Sequence, residues 1–134
     1  MATRTNRHSV YDLEYHLVVC TKYRHSILDG EMRDRLIDIT NRLFKDNYGC
    51  EVTAVETGDD HIHIMFEAPP QVQLSKLVNS YKTVTSRLLR KEFKDFLKPY
   101  YWKSLFWNRS YFICTVSDRS HDAVKKYVDE QRSE

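Results

Sequence analysis

The spacing of apolar and polar positions changes several times along the chain, and each change marks an element. Residues 13–20, LEYHLVVC, mix alternation with a β-branched end and predict a strand. Over 30–48 the apolar residues Met32, Leu36, Ile39 and Leu43 recur at steps of four, three and four. That spacing lays one stripe along a helix, and Gly49 stands where a helix would stop. Residues 50–57, CEVTAVET, and 61–67, HIHIMFE, read as two strands. The short turn Gly58-Asp59-Asp60 joins them as an antiparallel hairpin. Pro69-Pro70 closes the second strand, and a helix follows over 74–92, with Leu74, Leu77, Tyr81, Leu88 and Leu89 near one face. Residues 93–109 are irregular, aromatic and basic. A strand over 111–116, YFICTV, leads to a last helix that Ser120 can cap and that runs to about Gln131. Asp122 lies in its first turn, where the helix dipole favours negative charge.

The order β-α-β-β-α-β-α identifies the class as α+β. Its first six elements fit the split β-α-β arrangement of ferredoxin-like (RRM-like) domains. The expectation is an antiparallel sheet with two helices on one face and the other face free. The pattern leaves open where the last helix packs. At 134 residues the chain fits one domain, 1–134, with 118–134 as its C-terminal helical segment.

Charge changes the picture more than composition does. The net charge is only +2, which argues against a uniformly basic nucleic-acid binder. It is unevenly spread, however: residues 71–110 hold 9 basic and 2 acidic side chains, whereas 29–70 hold 4 and 10. A local positive surface on a nearly neutral protein follows. Three cysteines, Cys20, Cys50 and Cys114, are an odd number without a C-x-x-C, so a disulfide framework is not expected and a reducing cytoplasm fits. The polar N-terminus is unlike a signal peptide, and no apolar run approaches a membrane span. Three glycines leave no Gly-rich phosphate loop, so no nucleotide cofactor is expected.

Candidate chemistry sits on the third strand. Residues two apart on a strand share a face, so His61, His63 and Met65 lie opposite Ile62, Ile64 and Phe66. The isoleucine face suits the helices and leaves the histidines on the free face, where two imidazoles can converge on one divalent metal. An H-x-H by itself more often marks two partly exposed strand histidines that have no role. On the last helix Tyr127 and Gln131 stand one turn apart on one face, beside an apolar ridge of Val124 and Val128 that could dock the helix. A helical tyrosine by itself reads as a packing residue.

Together these segments resemble the HUH single-strand endonucleases, and most closely the small single-tyrosine transposases of the TnpA type. Those belong to insertion sequences that move as single-stranded DNA. The resemblance spans nearly the whole chain. It runs through YHLVVCTKYRHSIL, ETGDDHIHIMFEAPP, LVNSYKTVTSRLLRKEF, LFWNRSYFICTVSD and the terminal YVDEQ. It implies that His61, His63 and Gln131 are metal ligands for Mg²⁺ or Mn²⁺, that Tyr127 is the nucleophile, and that the last helix carries it. It further implies a homodimer acting on single-stranded DNA with hairpin ends, through a 5′-phosphotyrosine intermediate that a 3′-OH resolves. Glu130 stands where replicative relatives tend to carry a lysine, which favours the transposase branch.

Candidate DNA contacts are Lys22 and Arg24 in the loop after the first strand, Lys82, Arg87 and Arg90 on the second long helix, and Trp107, with Trp102 and Tyr101 as further stacking candidates. Phe106 and Trp107 also read as core or dimer interface. Three alternatives differ in class or history. One is a domesticated relative acting on repeated palindromes with the same chemistry. Another is a non-catalytic RRM-like binder, which would need aromatics where His61 and His63 stand. The last is a two-histidine phosphodiesterase, which would need a second H-x-[ST] motif that is absent.

Overall fold

The structure, a computed structural model, describes residues 4–5 and 10–131, with Arg4 and Gln131 by backbone alone. Two short strands, β1 (Arg4–Thr5) and β2 (Val10–Tyr11), pair as a small antiparallel ribbon that the sequence pattern did not announce. The main sheet follows the predicted order. Its strands are β3 (Glu14–Cys20), β4 (Glu51–Thr57), β5 (His61–Glu67) and β6 (Phe112–Thr115), arranged β4-β5-β3-β6 and antiparallel throughout. This is the ferredoxin-like α+β arrangement expected from the sequence.

Helices α1 (Gly30–Arg42) and α2 (Leu74–Glu92) cover one face. The predicted stripe is buried in α1 through Met32, Leu36 and Ile39. Beyond Arg42 the chain continues as one wider, π-helical turn, Leu43–Asn47, which drives Phe44 into the core. Gly49 ends this segment at φ +65°, a left-handed conformation that a residue with a Cβ adopts only with strain. Phe44 packs edge-on to Phe66, with ring centroids 4.9 Å apart, and to Tyr81 at 5.7 Å. Tyr81 is fully buried, and its hydroxyl lies 2.8 Å from that of Thr40, so the polar tip is satisfied within the core. On the surface Arg35 forks onto Glu92 at 2.8 and 3.2 Å and ties α1 to the end of α2.

The segment after α2 forms a short helix, α3 (Lys94–Leu97), and then an irregular run laced to the β3 end. Lys22 N–H donates to Phe106 C=O at 2.8 Å, and Asn108 N–H to Cys20 C=O at 2.8 Å. The Tyr101 hydroxyl donates to Lys22 C=O at 2.7 Å, and the Trp107 indole N–H to Thr85 at 2.9 Å. These aromatics are therefore largely structural.

The last helix, α4 (Ser120–Gln131), settles what the pattern left open. It lies on the sheet face opposite α1 and α2, where Val124 and Val128 form a second buried cluster with Val18 and Cys20. The Val124–Val128 ridge is the docking ridge expected from its spacing. Among the described residues no helix is long and apolar enough to cross a membrane.

Candidate active site on the histidine face

The α4-covered face carries the alternate residues of β3 and β5. Register places Val18 opposite His63, Cys20 opposite His61, and His16 opposite Met65. Residues directly opposite share a face, so His16, His61 and His63 lie on the face that α4 covers. His16 is fully buried and His63 nearly so. The Nδ1 of His16 lies 2.7 Å from Nε2 of His63, and its Nε2 lies 2.9 Å from Oγ of Ser120. Burial above all holds the His16 pKa below the ordinary imidazole value, aided by nearby His63 and His121. His63 is lowered too, chiefly by burial, although Glu56 at 3.8 Å from its Nδ1 pulls the other way. Both rings are neutral at pH 7, the form that can ligate a metal.

His61 is held from the other side. Its Nδ1 lies 2.9 Å from an Asp60 oxygen, and the second Asp60 oxygen accepts from Arg24 Nε at 2.9 Å. Burial opposes the Asp60 charge, but the hydrogen bonds from Arg24 and His61 outweigh it and hold the carboxyl below its usual range. Arg24 goes on to donate from Nη1 to the Val128 carbonyl at 3.0 Å, in the last turn of α4. Space matters as well: a Cβ on Gly58 would stand 2.4 Å from Cε1 of His61, so only glycine admits this ring position.

The two histidines open on a cleft of about 380 Å³, lined also by Glu56, His121, Val124, Lys125 and Asp129. Among the described residues no group of three or more His, Cys, Asp or Glu comes together as a metal site. Two imidazoles on one strand face still fit a divalent cation that takes its remaining donors from an amide, a phosphate or water. The expected third ligand, Gln131, ends α4, and its side chain lies outside the described residues.

Tyr127 occupies another side of α4. Its ring stacks on Phe112 of β6 at 5.2 Å, and its hydroxyl lies 3.2 Å from that of Ser110. The tyrosine and the histidine cleft thus belong to one helix seat, but the phenol is on Ser110 and does not line the cleft.

The expected DNA contacts divide. Lys82, Arg87 and Arg90 line one groove of about 360 Å³ with Ser104, Leu105, Phe106 and Trp107. Trp107 is nonetheless buried, tilted against Phe106 and tied to Thr85, so its face is not offered to a base. Tyr101 is buried as well, whereas Trp102 is 85% exposed. Lys22 stays at the surface with its Nζ 5.2 Å from the centre of the Tyr23 ring. Arg24, expected in a DNA-facing loop, points inward instead. Tyr23 and Arg24 sit at φ +61° and +54°, and this left-handed pair turns the guanidinium under α4. His16 forms no i, i+2 histidine pair, so spacing does not single it out; its one signal is an imidazole on the Val18–Cys20 side of a strand that is apolar from Leu17 onward.

Known proteins resemble the chain over nearly its full length. It is 38% identical to the ISDra2 transposase TnpA of Deinococcus radiodurans, over 96% of this chain and 90% of that one. It is 30% identical to the transposase for insertion sequence element IS200 of Salmonella typhimurium, over 93% and 83%. A crystal structure from D. radiodurans R1, described as a transposase, superposes with TM-score 0.85 at 34% identity, over 96% of this chain and 97% of that one. A REP-associated tyrosine transposase bound to a REP hairpin shares the fold at TM-score 0.56 and 12% identity, over 92% and 68%. The family described as "Transposase IS200 like" matches residues 9–131, and the chain therefore belongs to the IS200-like transposases.

Proposed function

We propose that this transposase cuts and rejoins single-stranded DNA at hairpin-marked element ends, with Tyr127 as nucleophile and His61 and His63 as metal ligands. The observation that carries the reading is the His61–His63 pair opening on a cleft whose other wall is the tyrosine helix. The phenol oxygen of Tyr127 forms a bond to phosphorus as the bond to the 3′-oxygen breaks. The phenolic proton leaves to solvent or base, and the 3′-oxygen takes one up. The product is a 5′-phosphotyrosine that a later 3′-OH can attack in reverse, so strands rejoin without ATP. A divalent ion such as Mg²⁺ or Mn²⁺, held by His61, His63 and the Gln131 amide, would supply Lewis-acid polarisation of the scissile phosphate.

Tyr127 rests on Ser110, so it serves a histidine pair only after α4 leaves this seat or by reaching the pair of a second subunit. A homodimer meets that requirement and gives one tyrosine for each of two element ends. DNA follows the groove of Lys82, Arg87 and Arg90, with Trp102 as an exposed stacking surface. The hairpin-bound relative supports a hairpin as the recognised element.

The test is cleavage of hairpin-bearing single-stranded DNA by the His61→Ala, His63→Ala and Tyr127→Phe variants. All three lose cleavage and keep hairpin binding. Cleavage by a mixture of Tyr127→Phe and His63→Ala proteins places the tyrosine in the partner's site. Undiminished cleavage by both histidine variants refutes the ligand assignment.

A further inference from the structure

Serine 120 has one hydrogen and three polar neighbours. Its Oγ lies 2.8 Å from the Ser117 carbonyl, 3.1 Å from the Ser117 N–H and 2.9 Å from Nε2 of His16. A carbonyl oxygen accepts only, so the Ser120 hydrogen points at it; otherwise two oxygens would face each other at 2.8 Å with no proton between them. Ser120 Oγ then accepts from the Ser117 N–H and from Nε2–H of His16. A neutral His16 protonated at Nε2 has its lone pair at Nδ1, 2.7 Å from Nε2 of His63. Nε2 of His63 must therefore carry a proton and donate it. On the other strand end, the Asp60 carboxylate can only accept, so His61 donates from Nδ1–H.

We infer that the structure locks the two active-site histidines in opposite tautomers, with His16 and Ser120 as positioning residues that set the tautomer of His63. In the neutral ring form His61 thus presents its Nε2 lone pair and His63 its Nδ1 lone pair. Glu56 and His63 both line the cleft, and the Glu56 carboxylate, 3.8 Å from that Nδ1, is too far to take a hydrogen bond from it and so does not impose the other tautomer. Both relays end on the tyrosine helix. His63–His16–Ser120 reaches its first residue, and His61–Asp60–Arg24 reaches the Val128 carbonyl in its last turn. The seat of α4 and the donor atoms offered to a cation are thus coupled. Metal ligation by these lone pairs rests on the function proposed above; the tautomers do not.

Long-range ¹H–¹⁵N NMR of the metal-free full-length protein reads the tautomers directly. The expected result is a pyridine-like Nδ1 on His63 and a pyridine-like Nε2 on His61. Ser120→Ala, a small truncation, frees His63 to populate both tautomers, whereas Ser120→Thr keeps the hydroxyl and restores the native spectrum. Mn²⁺ affinity, followed by electron paramagnetic resonance, falls about 10- to 100-fold in Ser120→Ala, as for other supporting contacts to metal ligands. A pyridine-like Nε2 on His63 in the native protein, or an unchanged His63 spectrum in Ser120→Ala, overturns the inference. A native protein with the expected tautomers that binds no Mn²⁺ upholds the relay and overturns the metal reading alone.

Discussion

Replacing Arg24 by Met removes a guanidinium that joins Asp60, next to the histidine strand, to the tyrosine helix. Its side chain is 9% exposed and that of Asp60 12% exposed. Met keeps much of the apolar stem but leaves the Asp60 carboxylate buried, with His61 still beside it. Breaking a buried pair from one side costs about 3–5 kcal/mol. Residual hydration and the His61 bond argue for the lower end, so the expected loss is about 3 kcal/mol, with about 1 kcal/mol more for the untied Val128 carbonyl. Urea denaturation gives the total, and hydrogen exchange locates it in α4 and the turn before β5. The double variant Arg24→Met/Asp60→Asn recovers part of the loss, because no charge is stranded. The pH dependence has a definite sign. A carboxyl whose pKa is lowered by folding contributes stability above its unfolded value, about 3.9, and loses it as pH falls through the folded value. That acid limb shrinks in Arg24→Met. A loss under about 0.5 kcal/mol, the range of surface substitutions, or a double variant no more stable than the single one, refutes the strut. It would also restore Arg24 as a free phosphate contact.

Other substitutions separate the parts of the site. Gly58→Ala places a methyl group 2.4 Å from Cε1 of His61, so the ring must move; cleavage falls at least tenfold while the circular dichroism melt stays close to native. Arg87→Gln and Arg90→Gln weaken hairpin binding and each lower the salt slope by about 1, one phosphate contact apiece. Trp102→Ala, at an 85% exposed position, leaves stability unchanged but weakens single-strand binding by about 1–3 kcal/mol in a fluorescence titration.

Long periodic elements were legible in the residues, and local or cross-chain features were not. The helix over 74–92 and the strand over 61–67 have the predicted bounds, because nineteen residues of stripe and seven of alternation leave little choice. The β1–β2 ribbon pairs two residues with two, too few to show a period. The wider π-helical turn at Leu43–Asn47 departs from the predicted stripe and buries Phe44 where the spacing pointed to Leu43. The shared face of His61 and His63 follows from the pleat alone. His16 entered the site only through register, since a partner 47 positions away depends on how two strands align. The inward course of Arg24 was not legible, because an arginine in a polar loop gives no sign of two consecutive left-handed residues turning it inward. The seat of α4 was half legible: its Val124–Val128 ridge was clear, but the surface that receives it includes buried histidines no hydropathy pattern would select.

If Tyr127 is the nucleophile, its oxygen becomes bonded to DNA. Incubating the protein with hairpin-bearing single-stranded DNA and Mg²⁺ or Mn²⁺, then digesting it for mass spectrometry, measures this directly. The expected result is a nucleotide joined through its 5′-phosphate to the Tyr127 peptide of the native protein, and no adduct in Tyr127→Phe. An adduct on any other residue, or one formed undiminished by Tyr127→Phe, would contradict it.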